Sequence, residues 1–226
     1  MIKLVVLDVD GTLSEKDRRI APEVVETLPK VQERGTLISL VSGNVIPVMY
    51  ALKTYLGING PVFGENGGVI LSNDSIETFF TKEVPLKFFK YLQNRASISE
   101  ILTNRWRETS VAFSADREAM LNEIARTPGE WLNRVEIVDS TYAWHIMSKG
   151  QTKAFAIRKL IEMFGLGKDE VLVCGDSDND YAMYEVPVRK ATVANATDSI
   201  KEECEYISDE SHGRGVIDIF RHFGLL

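Results

Sequence analysis

Apolar runs and amphipathic stretches alternate along the first third of the chain. Lys3-Leu4-Val5-Val6-Leu7 is almost wholly apolar, so it reads as a strand buried on both faces. Pro22 occupies a first helical position and opens Glu23 to Arg34, with Val24, Leu28 and Val31 on one face and Gly35 as the stop. Pro29 removes one backbone bond from that helix, which predicts a kink or a late restart. A strand at Leu37 to Val41, a helix from Pro47 to Tyr55 and a strand at Pro61 to Phe63 follow, completing two βα units. Glu65-Asn66-Gly67-Gly68 then reads as a tight turn before Val69-Ile70-Leu71, with Glu77 to Thr81 as the antiparallel partner.

Beyond Val84 the rhythm changes. A helix at Leu86 to Asn94, a strand at Val111 to Phe113, a helix at Glu118 to Arg126 and strands around Val135 to Ile137 and Trp144 to Ile146 make a small α+β module. The α/β pattern then resumes with a helix from Thr152 to Phe164, a strand at Val171 to Cys174, a helix near Tyr181 to Glu185, a strand near Ala191 to Val193 and a terminal helix over Val216 to Phe223. The expected organisation is an α/β core made of residues 1-82 and 150-226, with an α+β module inserted at 83-149.

At 226 residues there is room for one core plus such a module. Hydrophobic residues at 44% and charged residues at 26% are the balance of a folded, water-soluble protein. Since no apolar run approaches the ~20 residues of a membrane helix, and Ile2 to Leu7 is too short for a signal-peptide core, the cytoplasm is the expected compartment. Cys174 and Cys204 lack metal-type spacing and read as reduced thiols. The net charge of −7 argues against nucleic acid, whose binding leans on clustered Lys and Arg. It does not argue against a small anion, because a local cation and one lysine can make a pocket attractive to phosphate.

Candidate chemistry stands where an open α/β sheet places its site, at the carboxyl ends of strands. In Asp8-Val9-Asp10-Gly11-Thr12-Leu13, a carboxylate just past a buried strand can attack phosphorus, and a second one two residues on can handle a proton. The same residues also suit a plain turn. Gly175-Asp176-Ser177-Asp178-Asn179-Asp180 again follows an apolar strand, and several carboxylates on one loop suit magnesium. Asp176-x-Asp178-x-Asp180 also resembles the start of a calcium loop, but Tyr181 stands where that loop needs glycine and a strand precedes it instead of a helix. Ser42-Gly43-Asn44 and Lys153 are weak signals alone, a common turn and a solvated lysine. Together with the aspartates they supply the hydroxyl, N–H groups and ammonium that a transferring phosphoryl group needs.

In this order, Asp-x-Asp-Gly-Thr-Leu, Ser-Gly, Lys and Gly-Asp-x-x-Asn-Asp, the motifs resemble the haloacid dehalogenase superfamily of phosphohydrolases over nearly the whole chain. The inserted module resembles its C2-type cap and the last motif its Cof-like, IIB branch. Within that branch Ser42-Gly43-Asn44, Gly64 to Gly68 and Lys149-Gly150-x-x-Lys153 look most like the archaeal-type phosphoglycolate phosphatases. The resemblance implies a Rossmann-like core with a cap that sets specificity, and hydrolysis of a small phosphorylated metabolite. By it, Asp8 is the nucleophile and Asp10 the acid/base. Asp8, Asp10 through its backbone carbonyl, Asp176 and Asp180 hold Mg2+, and Ser42 and Lys153 hold the phosphate. Relatives often have Thr-Gly-Arg where this chain has Ser42-Gly43-Asn44, so substrate contacts from that loop are open.

A sugar phosphatase or phosphomutase keeps the same chemistry, and a metal-holding module without catalysis is a further alternative. Arg105, Arg107, His145 and Lys149 are candidates for gripping a substrate carboxylate, with Trp106 and Trp144 as pocket wall, although charges alternating along a strand are usually solvated. His212 and His222 suit surface or helix-end roles. No nucleic-acid or membrane partner is expected, and a monomer and a homodimer are both compatible with the chain.

Overall fold

The computed structural model describes residues 1–140 and 142–226. Its larger sheet has eight strands. These are β1 (Leu4–Leu7), β2 (Leu37–Val41), β3 (Val62–Gly64), β4 (Val69–Ser72), β5 (Ser75–Thr78) and, after the inserted module, β10 (Val171–Gly175), β11 (Arg189–Thr192) and β12 (Tyr206–Ile207), in the spatial order β12-β11-β10-β1-β2-β3-β4-β5. The six strands from β12 to β3 run parallel, and β4 and β5 add an antiparallel ribbon.

The chain winds outward from β1 through β2 and β3, then returns to the other side of β1 with β10 to β12. The order reverses between β1 and β10, which leaves a crevice beyond their carboxyl ends. Leu4 pairs with Val171 and Leu7 with Cys174, so the two strands end level and their following loops face each other.

Successive side chains on β1 point to opposite faces, which is why its unbroken apolar run is buried. Val5 and Leu7 pack with α1 (Pro22–Glu33), α2 (Ile46–Tyr55) and the terminal α9 (His212–His222) through Leu28, Met49, Val216 and Phe220. Leu4 and Val6 pack on the other face against α6 (Lys153–Phe164) and α7 (Tyr181–Tyr184) through Ala156, Ile157, Leu160 and Met183. Pro22 is at the start of α1, as expected, but α1 continues through Pro29. The carbonyl that Pro29 leaves unbonded belongs to Val25, on the exposed side of the helix, where water can satisfy it.

The expected partner of β4 lies earlier than Glu77 to Thr81. Ser72 pairs with Ser75, and Asn73 and Asp74 between them both have positive φ, 48° and 60°. That is the two-residue hairpin turn whose twist suits antiparallel strands.

The second sheet has four antiparallel strands in the order β6-β7-β9-β8: β6 (Ile98–Glu100), β7 (Val111–Ala115), β8 (Val135–Asp139) and β9 (Trp144–Ser148). One face is covered by α3 (Glu83–Gln93), α4 (Arg117–Arg126) and the short α5 (Gly129–Leu132), around Phe88, Phe89, Phe113, Met120 and Trp144. The other face turns towards the crevice. A last short helix, α8 (Asp198–Lys201), packs beside the β10 loop. No helix among the described residues is long and apolar enough to cross a membrane.

Candidate active site

Asp8 is the first residue beyond β1, and its N–H donates to the Cys174 carbonyl in a last rung of the sheet, 2.9 Å. The rung aims its buried carboxylate at the loop after β10. Lys153, at the start of α6 and itself buried, donates from Nζ to Asp8 Oδ1 at 2.6 Å and also to Asp180 Oδ1. The second Asp180 oxygen accepts the N–H groups of Asp176 and Ser177, both at 3.0 Å, and the Ser177 hydroxyl at 3.1 Å. Thr12, a member of the first motif to which the sequence assigns no role, donates its hydroxyl to Asp176 Oδ1 at 2.8 Å and ties the first motif to the fourth.

Gly11 lets these loops meet. Its φ is +92°, and a Cβ there would lie 2.4 Å from Asp176 Oδ2. The His212 ring nitrogen Nδ1 holds the Gly11 carbonyl at 2.8 Å from the start of α9, so His212 supports the turn from behind.

One carboxylate oxygen each from Asp8, Asp176 and Asp180 lies within 4.8 Å of the other two. Three carboxylates against one ammonium leave a surplus of negative charge in a buried place. Burial, then Asp180, pushes the Asp8 carboxyl well above its ordinary range despite Lys153. Burial and Asp180 likewise push Asp176 up to about 7. Burial by itself would lower Lys153, but Asp180 and Asp8 outweigh it and keep the ammonium charged. Crowded oxygen donors whose charge is not offset by the protein are the donor set of a hard divalent cation, so these residues fit one. Asp178 does not join them. Its Oδ1 takes the hydroxyls of Ser199 and Thr197 at 2.6 and 3.1 Å.

Asp10 sits at the edge of a cavity of about 160 Å³ lined also by Asp8, Arg18, Ser42, Asn44, Arg107 and His145. Asn44 Nδ2 donates to Asp10 Oδ2 at 2.7 Å and to Ser42 Oγ at 3.0 Å. Arg18 pairs with Asp10 Oδ1 at 3.0 Å, and its guanidinium lies over the Tyr142 ring of the second unit. Asn44 thus ties the Asp10 carboxylate to the Ser42 hydroxyl, a role its sequence position does not disclose. The guanidinium near this loop comes from Arg107 of the inserted module, which donates from Nη2 to the Gly43 carbonyl at 3.1 Å.

Of the four candidates in that module for gripping a substrate carboxylate, Arg107 and His145 line the cavity. Lys149 pairs with Glu136 at 3.1 Å and is largely exposed, and Arg105 borders a separate depression with Lys82 and Leu86. Trp106 is about half exposed, and Trp144 lies in the module's own core. Alternation along β9 explains this. Trp144 and Ile146 face the helices, which leaves His145 and Met147 for the crevice side. Burial, then Arg107 and Lys153, hold the His145 imidazole well below its ordinary pKa, so it is neutral.

Glu65 was read as part of a turn, and it is more than that. In a one-turn 3-10 segment with φ +52°, its fully buried carboxylate accepts from the N–H groups of Glu108, Thr109 and Ser110 and from both hydroxyls of the latter two. It joins the core to the segment carrying Arg107.

The haloacid dehalogenase-like hydrolase family matches residues 5–105 and 93–220. A phosphoglycolate phosphatase of Thermoplasma acidophilum is 50% identical, and one of Thermoplasma volcanium 47% identical, each over the full length of both chains. A crystal structure of a Thermoplasma acidophilum protein superposes with a TM-score of 0.93 at 49% identity, again over the whole of both chains. The chain belongs to the haloacid dehalogenase-like hydrolases.

Proposed function

We propose that the protein is a magnesium-dependent phosphatase that hydrolyses 2-phosphoglycolate to glycolate and phosphate, with Asp8 as nucleophile. The observation that carries this reading is the convergence of Asp8, Lys153, Asp176 and Asp180 at the β1/β10 crevice, with Asp10 beside them at the cavity edge. The Thermoplasma relatives supply the substrate class. Residues 83-149 act as a cap over a core of 1-82 and 150-226, in a cytoplasmic monomer or homodimer.

Asp8 Oδ attacks phosphorus, and the bond from phosphorus to the ester oxygen breaks as Asp10 gives that oxygen its proton. Glycolate leaves and phosphate stays on Asp8. Asp10, now ionised, takes a proton from water as the water oxygen attacks phosphorus, and cleavage of the Asp8–phosphorus bond returns both aspartates to their starting states. Lys153 and the Ser42 hydroxyl steady the phosphoryl oxygens. Asn44 and Arg18 orient the Asp10 carboxylate by holding one oxygen each. Asp8, Asp176, Asp180 and the Asp10 carbonyl would hold Mg2+, which when bound offsets the charge of the carboxylates and of the phosphoryl group.

Phosphate release from 2-phosphoglycolate, measured with magnesium and after chelation, tests the reading. Turnover that requires magnesium and exceeds that of hexose phosphates is expected; a preference for hexose phosphates would move the protein to the sugar-phosphatase alternative.

A further inference from the structure

Arg107 is a buried cation with no anion beside it. It follows the 3-10 turn Leu102–Trp106 and is only 6% exposed. Of its five N–H donors, one Nη1 hydrogen goes to Ser110 Oγ at 3.0 Å and one Nη2 hydrogen to the Gly43 carbonyl at 3.1 Å, both neutral acceptors. Nε has no partner. Glu65 favours its charge through space, but both oxygens of that carboxylate are taken by residues 108 to 110. Burial lowers the Arg107 pKa only to about 10, so the guanidinium stays positive at neutral pH. A charge in such a place is costly unless it is paired.

The other cations near the cavity are committed. Lys153 holds Asp8 and Asp180, and Arg18 holds Asp10. Among the described residues, Arg107 is the cation of the cavity wall without a carboxylate in ion-pair range. It comes from the inserted module, while Asp8 and Asp10 come from the core, so an anion on Arg107 and a phosphoryl group on Asp8 would occupy different walls of one cavity. At about 160 Å³ the cavity is smaller than the ~300–1,000 Å³ of sites for drug-sized ligands, which suits a compact substrate with two anionic ends.

We infer that Arg107 is the specificity-determining residue that binds the carboxylate of the substrate. This rests on the phosphatase reading above and adds the group that recognises the leaving alcohol. A planar guanidinium with free N–H donors matches a carboxylate as a two-pronged partner, which a lysine ammonium does not.

The test compares 2-phosphoglycolate with ethyl phosphate, which lacks the carboxylate, in the wild type, Arg107→Gln and Arg107→Lys. Thermal midpoints are recorded for each, and Arg107→Lys keeps the charge and stem should Arg107→Gln fold poorly. The kcat/KM ratio for the two esters is expected to fall about 50-fold or more in Arg107→Gln, mainly through KM, and about tenfold in Arg107→Lys. A ratio unchanged in both variants, even with lower activity on both esters, would make Arg107 a structural tether and overturn the inference alone. A wild type without preference for 2-phosphoglycolate would overturn the functional reading and this inference with it.

Discussion

Asp180 and Glu65 are both fully buried carboxylates, yet their surroundings differ in kind. Glu65 is surrounded by five N–H and O–H donors from a single short segment and needs no cation in contact. Asp180 gives one oxygen to neutral donors and turns the other to Lys153, with Asp8 and Asp176 crowding the same point. A charge solvated by fixed dipoles is a finished structural element, whereas carboxylates that repel one another in a dry crevice are a site prepared for something positive. One region holds the inserted module to the core, and the other suits the binding and reaction proposed for it.

The contrast is sharpened most by Asp8→Asn. Turnover is expected to fall by about four orders of magnitude or more, as for other residues that bond to the reacting atom. Thermal stability should be kept, because the change removes a like charge from the cluster; residual activity within tenfold of wild type would refute Asp8 as nucleophile. Glu65→Gln should do the reverse. An amide offers one acceptor oxygen and brings two N–H donors against a ring of donors, so the expected loss is about 3 kcal/mol in urea unfolding. A loss below about 0.5 kcal/mol would mean that the segment holds its place without the charge.

The difference between the regions also explains what could be read in advance. Asp8 and Asp10, and the loop that carries Asp176 and Asp180, follow apolar strands, so local pattern and the strand-end rule were enough to mark both loops, while the choice of Asp176 and Asp180 within the second came from the family resemblance. Pro22, Gly35 and the βα rhythm of the core are equally local signals. Glu65 and Arg107 depend on contacts made across more than forty residues, from Glu65 to Ser110 and from Arg107 to Gly43. In sequence one is a turn residue and the other one of several arginines. The same holds for Thr12, whose partner Asp176 is 164 positions away. Trp144 and His145 were both offered as pocket residues, but neighbours on a strand cannot share a face, and only the packing of α3 decides which of them looks inward.

Magnesium offers a smaller but more selective test. At about 100 times its dissociation constant, a ligand that binds only the folded state adds about 2.7 kcal/mol of stability. Glu65→Gln should retain that increment on top of its own loss, whereas Asp176→Asn should lose most of it. Equal increments in all three proteins would place the cation away from the aspartate cluster.

The most gradual effect, spread over several pH units, is a pH dependence of the metal-free protein. Asp176 has its folded pKa raised to about 7, above the ordinary carboxyl value of 3.8 that applies to the unfolded chain. Between those values the folded state therefore binds more protons than the unfolded state, and stability must fall as pH rises through this window. Each such proton contributes a slope of at most about 1.4 kcal/mol per pH unit. The acid-side gain should shrink in Asp176→Asn, which has nothing to protonate there, and in wild type with saturating magnesium, where the cation replaces the proton. It should persist in Glu65→Gln. A metal-free wild type whose urea midpoint has the same pH profile between 4 and 7 as Asp176→Asn would show that the Asp176 carboxylate is already at ease in the crevice, and the distinction between the two buried carboxylate sites would fail at its charged end.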